Sequence, residues 1–266
     1  MAAGLLMLLA ACATRPPAPG ADPWRVFAPL LLNGVSVDTE WLLPPAPVAG
    51  LVLLEHGFGR SCANLRGTAS RLMQQGLMVL CLDADMAGGR PALARALAAA
   101  IAGGLRAPDG RALSQAVVVG GHSAGAVFAA YTGAALAVRA PDRLAGALLL
   151  DPVATPGLAA ALQAIAGDGR RPVLAVLAEP GRCNLHNNAL PALRALPQAF
   201  IGLRLPGATH LDVEGADTTA LAVAACGQGA PQAANVAALR RIAAAWALDL
   251  AQGRPPQPEA GGLPLR

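Results

Sequence analysis

Val117-Val118-Val119-Gly120-Gly121-His122-Ser123-Ala124-Gly125 is the stretch on which the fold of this chain turns. Three β-branched apolar residues make a short buried strand, and Ala126 to Leu136, which follows, has the small-residue composition of a packed helix. The Gly-X-Ser-X-Gly pattern between them predicts a strand running straight into a helix. Its glycines let the two elements approach closely, and the serine takes a strained turn that projects its hydroxyl beyond the sheet. In a chain with 30 Gly the pattern alone is weak. Strand before and helix after make Ser123 a candidate nucleophile, against its plainer role as a helix N-cap.

Outward from this turn, short apolar runs occur at Phe27 to Leu32, Gly50 to Leu54, Leu77 to Leu82, Ala116 to Val119, Ala145 to Leu150, Pro172 to Leu177 and Phe200 to Leu205. Segments of helical length lie between and after them, at Ala63 to Gln75, Pro91 to Ala102, Gly125 to Arg139, Gly157 to Ala166, Asn187 to Leu196 and Asn235 to Gln252. That alternation predicts an α/β fold: a mostly parallel twisted sheet with helices on both faces. Only one helix fits between Asp151 and Pro172, so no large cap domain is expected and the site should be an open cleft.

Composition narrows the function. At 55% hydrophobic and 14% charged, the 266 residues do not have the signature of a disordered chain. All 20 basic residues are Arg, the net charge is +4, and no basic run could track phosphates, so no nucleic-acid partner is expected. No Cys/His spacing resembles a metal site, and no cofactor is implied.

A serine nucleophile needs an imidazole to take its proton and a carboxylate to orient that imidazole. The chain has four His. His122 lies inside the turn and is expected to point away from the base position; His56 and His186 follow earlier strands. His210, in Pro206-Gly207-Ala208-Thr209-His210-Leu211-Asp212, follows the last strand and comes last in chain order, where a Ser, acid, His series places the base. Two carboxylates end strands on the same side, Asp151 after Ala145 to Leu150 and Glu179 after Pro172 to Leu177. Position alone favours Asp151 and leaves Glu179 as the alternative acid.

Taken together, Glu55-His56-Gly57-Phe58, Gly121-His122-Ser123-Ala124-Gly125, Leu150-Asp151-Pro152-Val153 and Thr209-His210-Leu211-Asp212 resemble the α/β-hydrolase superfamily. Within it they look like the chlorophyllase-like branch, next to cutinase-like and polyester hydrolases, over roughly residues 50–226. The resemblance implies Asp151 as the acid, because cutinase-like relatives carry an Asp in the loop that here reads Glu179-Pro180-Gly181-Arg182-Cys183-Asn184. It also implies an oxyanion hole from the backbone N–H groups of Phe58 and Ala124. Glu55 and Arg60, opposite in charge, are expected to pair and fix the Phe58 loop. Ala124-Gly125-Ala126 departs from the larger residue and Gly-Gly usual in those families, so their substrates do not carry over.

The ends and the cysteines complete the expectation. Residues 4–11 form an apolar run too short to span a bilayer, ending in Leu9-Ala10-Ala11-Cys12, which resembles a bacterial lipobox. The expected organisation is a lipoprotein signal peptide at 1–11, lipidation at Cys12, a Pro-rich spacer at 12–23, the α/β-hydrolase domain at 24–252 and a disordered tail at 253–266. A bridge between Cys183 and Cys226 would tie together two loops bordering the site. Cys81 reads as core and Cys62 has no evident partner. The functional expectation is a monomeric serine carboxylic-ester hydrolase acting on a small or lipid-like hydrophobic ester. Its only membrane contact would be the lipid anchor, in the bacterial cell envelope, facing the periplasm or exterior. A non-catalytic hydrolase-fold lipoprotein binding an apolar ligand, and a thioesterase or acyltransferase with the same residues, remain open.

Overall fold

Six parallel strands carry the architecture of the computed structural model, which describes residues 23–266. They are β5 (Gly50–Glu55), β6 (Leu77–Leu82), β7 (Val117–His122), β8 (Leu144–Leu150), β9 (Val173–Leu177) and β10 (Gly202–Arg204). The sheet order is β1-β4-β6-β5-β7-β8-β9-β10-β11, in which β1 (Arg25–Phe27), β4 (Thr39–Leu42) and β11 (Leu263–Pro264) run antiparallel to their neighbours. A separate hairpin pairs β2 (Leu30–Leu32) with β3 (Val35–Val37). The signal peptide, Cys12 and residues 12–22 of the spacer lie outside the described residues.

Strands buried on both faces read as continuous apolar runs, and their alternate residues feed two cores. Leu51, Leu53, Val117, Val119, Ala147 and Leu149 pack on the face covered by α2 (Pro91–Ala102), α3 (Ala124–Arg139) and α4 (Leu158–Ala166). Val52, Leu54, Val118, Leu148 and Leu150 face α1 (Arg66–Met73) and α7 (Ala233–Ala251). Between β8 and β9 the chain makes only α4, so no cap is inserted at that connection. Two shorter helices follow, α5 (Leu190–Arg194) and α6 (Ala220–Cys226).

The apolar run Phe27 to Leu32, expected as one strand, is two. Pro29 lacks an N–H for a ladder, and the chain leaves β1 there and re-forms as β2 in the hairpin. The tail expected to be disordered returns to the sheet instead: β11 pairs with β10, Leu265 is buried and its N–H reaches Gly202 O at 3.1 Å. Its low periodicity concealed a two-residue edge strand, which makes its hydrogen bonds through the backbone. Cys62 and Cys81 are also bonded to each other, with Cα atoms 5.8 Å apart, correcting the reading of one as bare core and the other as unpartnered. Cys81 lies on β6 and Cys62 opens the turn at Cys62–Leu65, a contact no local spacing announces.

Candidate active site

Ser123 sits between the last residue of β7 and the first of α3, at φ 56° and ψ −121°, a conformation costly for a residue with a Cβ. Two glycines make that turn possible. A Cβ on Gly125 would lie 2.3 Å from the carbonyl oxygens of Glu55 and His56, and one on Gly121 would lie 2.5 Å from the Gly125 backbone. Strand β7, helix α3 and the end of β5 therefore meet backbone to backbone. Ala124 is the first residue of α3, and the leading N–H groups of a helix have no partner within it.

Asp151 and His210 come together as expected. Asp151 follows β8 at φ 45°, is 1% exposed, and its Oδ2 accepts a hydrogen bond from His210 Nδ1 at 2.6 Å. A carboxylate can only accept, so Nδ1 carries the proton and Nε2 keeps its lone pair. His210 is held by its own turn, Thr209 N–H donating to Asp212 Oδ2 at 2.6 Å and Gln232 N–H to Asp212 Oδ1 at 2.7 Å. Glu179, the alternative acid, does not approach His210: its carboxylate accepts from Gly207 N–H at 3.2 Å and faces Arg204 at 3.4 Å. The Glu179 side chain is 38% exposed.

Ser123 and His210 line one open cleft of about 460 Å³, together with Phe58, Leu211, Leu221, Ala222 and the Cys183–Cys226 bridge. That expected bridge is present, with Cα atoms 5.2 Å apart. Phe58 is 69% exposed at the rim and Leu221 80%. Phe128 is buried in the core, and Tyr131 donates to Pro156 O at 2.6 Å, so neither enters the cleft.

Two expectations beside the site are overturned. Glu55 does not pair with Arg60; its Oε2 accepts from Leu82 N–H at 3.1 Å, and burial pushes its carboxyl up to about 8. Arg60 instead grips Glu214, Nε to Oε1 at 2.8 Å, and reaches Thr218 Oγ1 at 3.0 Å, tying the Phe58 loop to the segment after His210. His122 does not turn away from the base. Its ring lies 4.4 Å from that of His210, and burial holds it well below the usual histidine range. Neither of its ring nitrogens has a hydrogen-bond partner among the described residues.

Several supporting residues were not read from the sequence. Asn184 donates Nδ2 to both Asp151 oxygens, at 3.0 and 3.3 Å, and Gln228 accepts from His210 N–H at 3.4 Å. Arg60 and Glu214 are 154 positions apart, so no local pattern joins them. For Asn184 the available signal was a polar residue beside Cys183, in the loop leaving the strand next to Asp151.

A parallel core sheet, a tight serine turn after its central strand, and Asp151 and His210 on the loops that follow later strands together describe the α/β-hydrolase fold. Solved structures of that fold are similar to this chain. One is a dienelactone hydrolase from Anabaena variabilis, with 20% identity, 84% of this chain and 95% of that chain covered, and a TM-score of 0.60. Another is the esterase domain of a Rhodothermus marinus protein, with 15% identity, coverage of 84% and 98%, and a TM-score of 0.59. A third is a cold-adapted esterase from an Arctic intertidal metagenomic library, at 18% identity, 67% and 81% coverage, and a TM-score of 0.50. At these identities the likeness establishes the fold. No family model matches the chain, and no curated protein matches it.

Proposed function

We propose that this protein is a serine carboxylic-ester hydrolase that works through an acyl-enzyme. The observation that carries the reading is the 2.6 Å His210–Asp151 pair, whose His210 lines one cleft with Ser123, a serine held at positive φ. The solved esterases and the dienelactone hydrolase of the same fold support it.

In this reading Ser123 Oγ attacks the ester carbonyl carbon while His210 Nε2 takes its proton, and Asp151 stabilises the imidazolium that forms. The carbonyl oxygen becomes an oxyanion held by the backbone N–H groups of Phe58 and Ala124. Collapse breaks the C–O bond, and His210 returns the proton to the leaving alcohol. Water then attacks the acyl-Ser123 ester by the same route, releasing the acid and restoring the serine. The apolar rim of Phe58 and Leu221 suits a hydrophobic ester. The residues at Phe58, Ser123 and Asp151 favour a chlorophyllase-like placing within the fold, and the Leu9-Ala10-Ala11-Cys12 pattern favours a lipid tether on Cys12 in the bacterial envelope.

Hydrolysis of p-nitrophenyl esters of graded acyl length, with fluorophosphonate labelling, tests this. Ser123→Ala is expected to lose labelling and on the order of 10³-fold or more of turnover while keeping its fold. Asp151→Asn should lose up to roughly 10⁴-fold, while Glu179→Gln should stay within about twofold. Unchanged turnover in Ser123→Ala would overturn the proposal, and an unreactive wild-type serine would favour a binding protein. Transfer of the acyl group to an added alcohol or thiol in preference to water would favour the acyltransferase alternative, and preference for thioesters the thioesterase.

A further inference from the structure

Asp151 is buried, and three donors converge on it: Ala178 N–H at 2.9 Å on Oδ1, His210 Nδ1 at 2.6 Å on Oδ2, and Asn184 Nδ2 across both oxygens. Asn184 is fully buried and its amide can take only one orientation. Its Oδ1 accepts from Gly181 N–H at 2.8 Å and Asn187 N–H at 3.2 Å, so Nδ2 must face the acceptors, which are Asp151 and Glu179 O at 2.9 Å. An aspartate there would set a carboxylate oxygen against both of those acceptors, and an apolar residue would leave two backbone donors unsatisfied.

The backbone beyond Asn184 is held in a costly form. Leu185, His186 and Asn187 have consecutive φ values of 48°, 55° and 58°, a left-handed turn built without glycine. Such strain persists where the surroundings over-determine it. Here Cys183 is bonded to Cys226 immediately before the turn, and Asn187 Nδ2 donates to Ala178 O at 3.1 Å within it. The same bridge ends two residues from Gln228, which accepts the His210 backbone N–H.

We propose that Asn184 is a positioning residue for the acid and base: its amide fixes the Asp151 carboxylate so that Oδ2 stays aligned with His210 Nδ1, and the left-handed turn and the Cys183–Cys226 bridge hold the amide in place. The proposal rests on the serine-hydrolase reading. It differs from the oxyanion and nucleophile roles because Asn184 acts only through Asp151. Other ionisable groups around the pair are His122, 4.4 Å from the His210 ring; Glu214, 3.9 Å from His122; Arg60 on Glu214; and Glu179, whose carboxylate faces Arg204.

The test compares Asn184→Ala and Asn184→Asp in the full protein by ester kinetics over pH, and by proton NMR of the His210 Nδ1–H in the resting protein without substrate. Asn184→Ala is expected to lower kcat roughly ten- to hundredfold, as when a catalytic group drifts from alignment, with KM within about twofold. Its far-downfield Nδ1–H signal should weaken or vanish. Asn184→Asp should move the acid limb of kcat/KM to higher pH, because two carboxylates about 3 Å apart hold a shared proton and, once both are charged, hold the proton of His210. Asn184→Ser, which keeps a polar side chain but is one bond too short for the Asp151 contacts, replaces Asn184→Ala if the latter does not fold. Unmoved kcat, limb and resonance would overturn the proposal, as would a loss of stability alone with the resonance intact. A wild type that shows the resonance but no turnover or labelling would sink the hydrolase reading and leave the alignment measurable by NMR.

Discussion

Glu55 illustrates what a single buried group does to the whole protein. With its carboxyl raised from 4.5 to about 8, it keeps its proton in the native chain over a range where the unfolded chain has lost it. Between those two values the native state binds more protons, so stability falls as pH rises, by about 1.4 kcal/mol per unit. Below 4.5 both states are protonated and the dependence from this group vanishes. Glu55→Gln, neutral and the same shape, is expected to melt above wild type at pH 8 and to converge with it toward pH 5; parallel melting curves would refute the assignment. At this scale the sequence was most legible where the chemistry is local. Ser123 lies inside its own five-residue pattern, and Asp151 and His210 follow strands that could be counted. Asn184, Glu214 and the true partner of Arg60 were not legible, because each acts across a fold-generated contact. His122 was misread because the turn at Ser123 swings its neighbour's ring against His210, which alternation along a strand does not predict.

Among the elements, the six parallel strands were legible because burial on both faces leaves an uninterrupted apolar run. Strands β3 and β4 are short and partly polar, and helix α6 is seven residues whose start is marked only by the Thr219 cap, so neither periodicity nor length betrayed them. Helix α6 owes its position to the Cys183–Cys226 bridge at its end, which closes a span of 43 residues, whereas Cys62–Cys81 closes 19. By chain entropy alone the first is worth roughly 4 kcal/mol and the second roughly 3. The double variant Cys183→Ala/Cys226→Ala is therefore expected to lower the melting temperature at least as far as Cys62→Ala/Cys81→Ala. It should also lower kcat, since it frees a cleft wall and the loop carrying Asn184. Equal kcat in the two double variants would show that the first bridge only stabilises.

For the molecule as a whole, the sequence indicated the architecture but not how its margins are finished. Antiparallel pairings finish both margins of the sheet, through β4 and β1 on one side and β11 on the other, around six parallel strands. Only strands with apolar alternation or continuity leave a signal, and β11 is held by backbone bonds, by buried Leu265 and by Arg194 Nε donating to Leu265 O at 3.1 Å. Removing residues 261–266 is expected to lower the melting temperature while kcat/KM stays within about twofold, because β10 stands three strands from β7, about 14 Å away at sheet spacing. A large loss of kcat/KM in the folded truncation would contradict this. The short β11 has a further consequence for how the protein behaves in a crowd. Strand β10 would otherwise present free N–H and C=O groups on which a second chain could add a strand, and Pro264 gives the new margin one donor fewer to offer. The truncated protein is therefore expected to scatter light at concentrations where the full chain stays clear; equal clarity would contradict this.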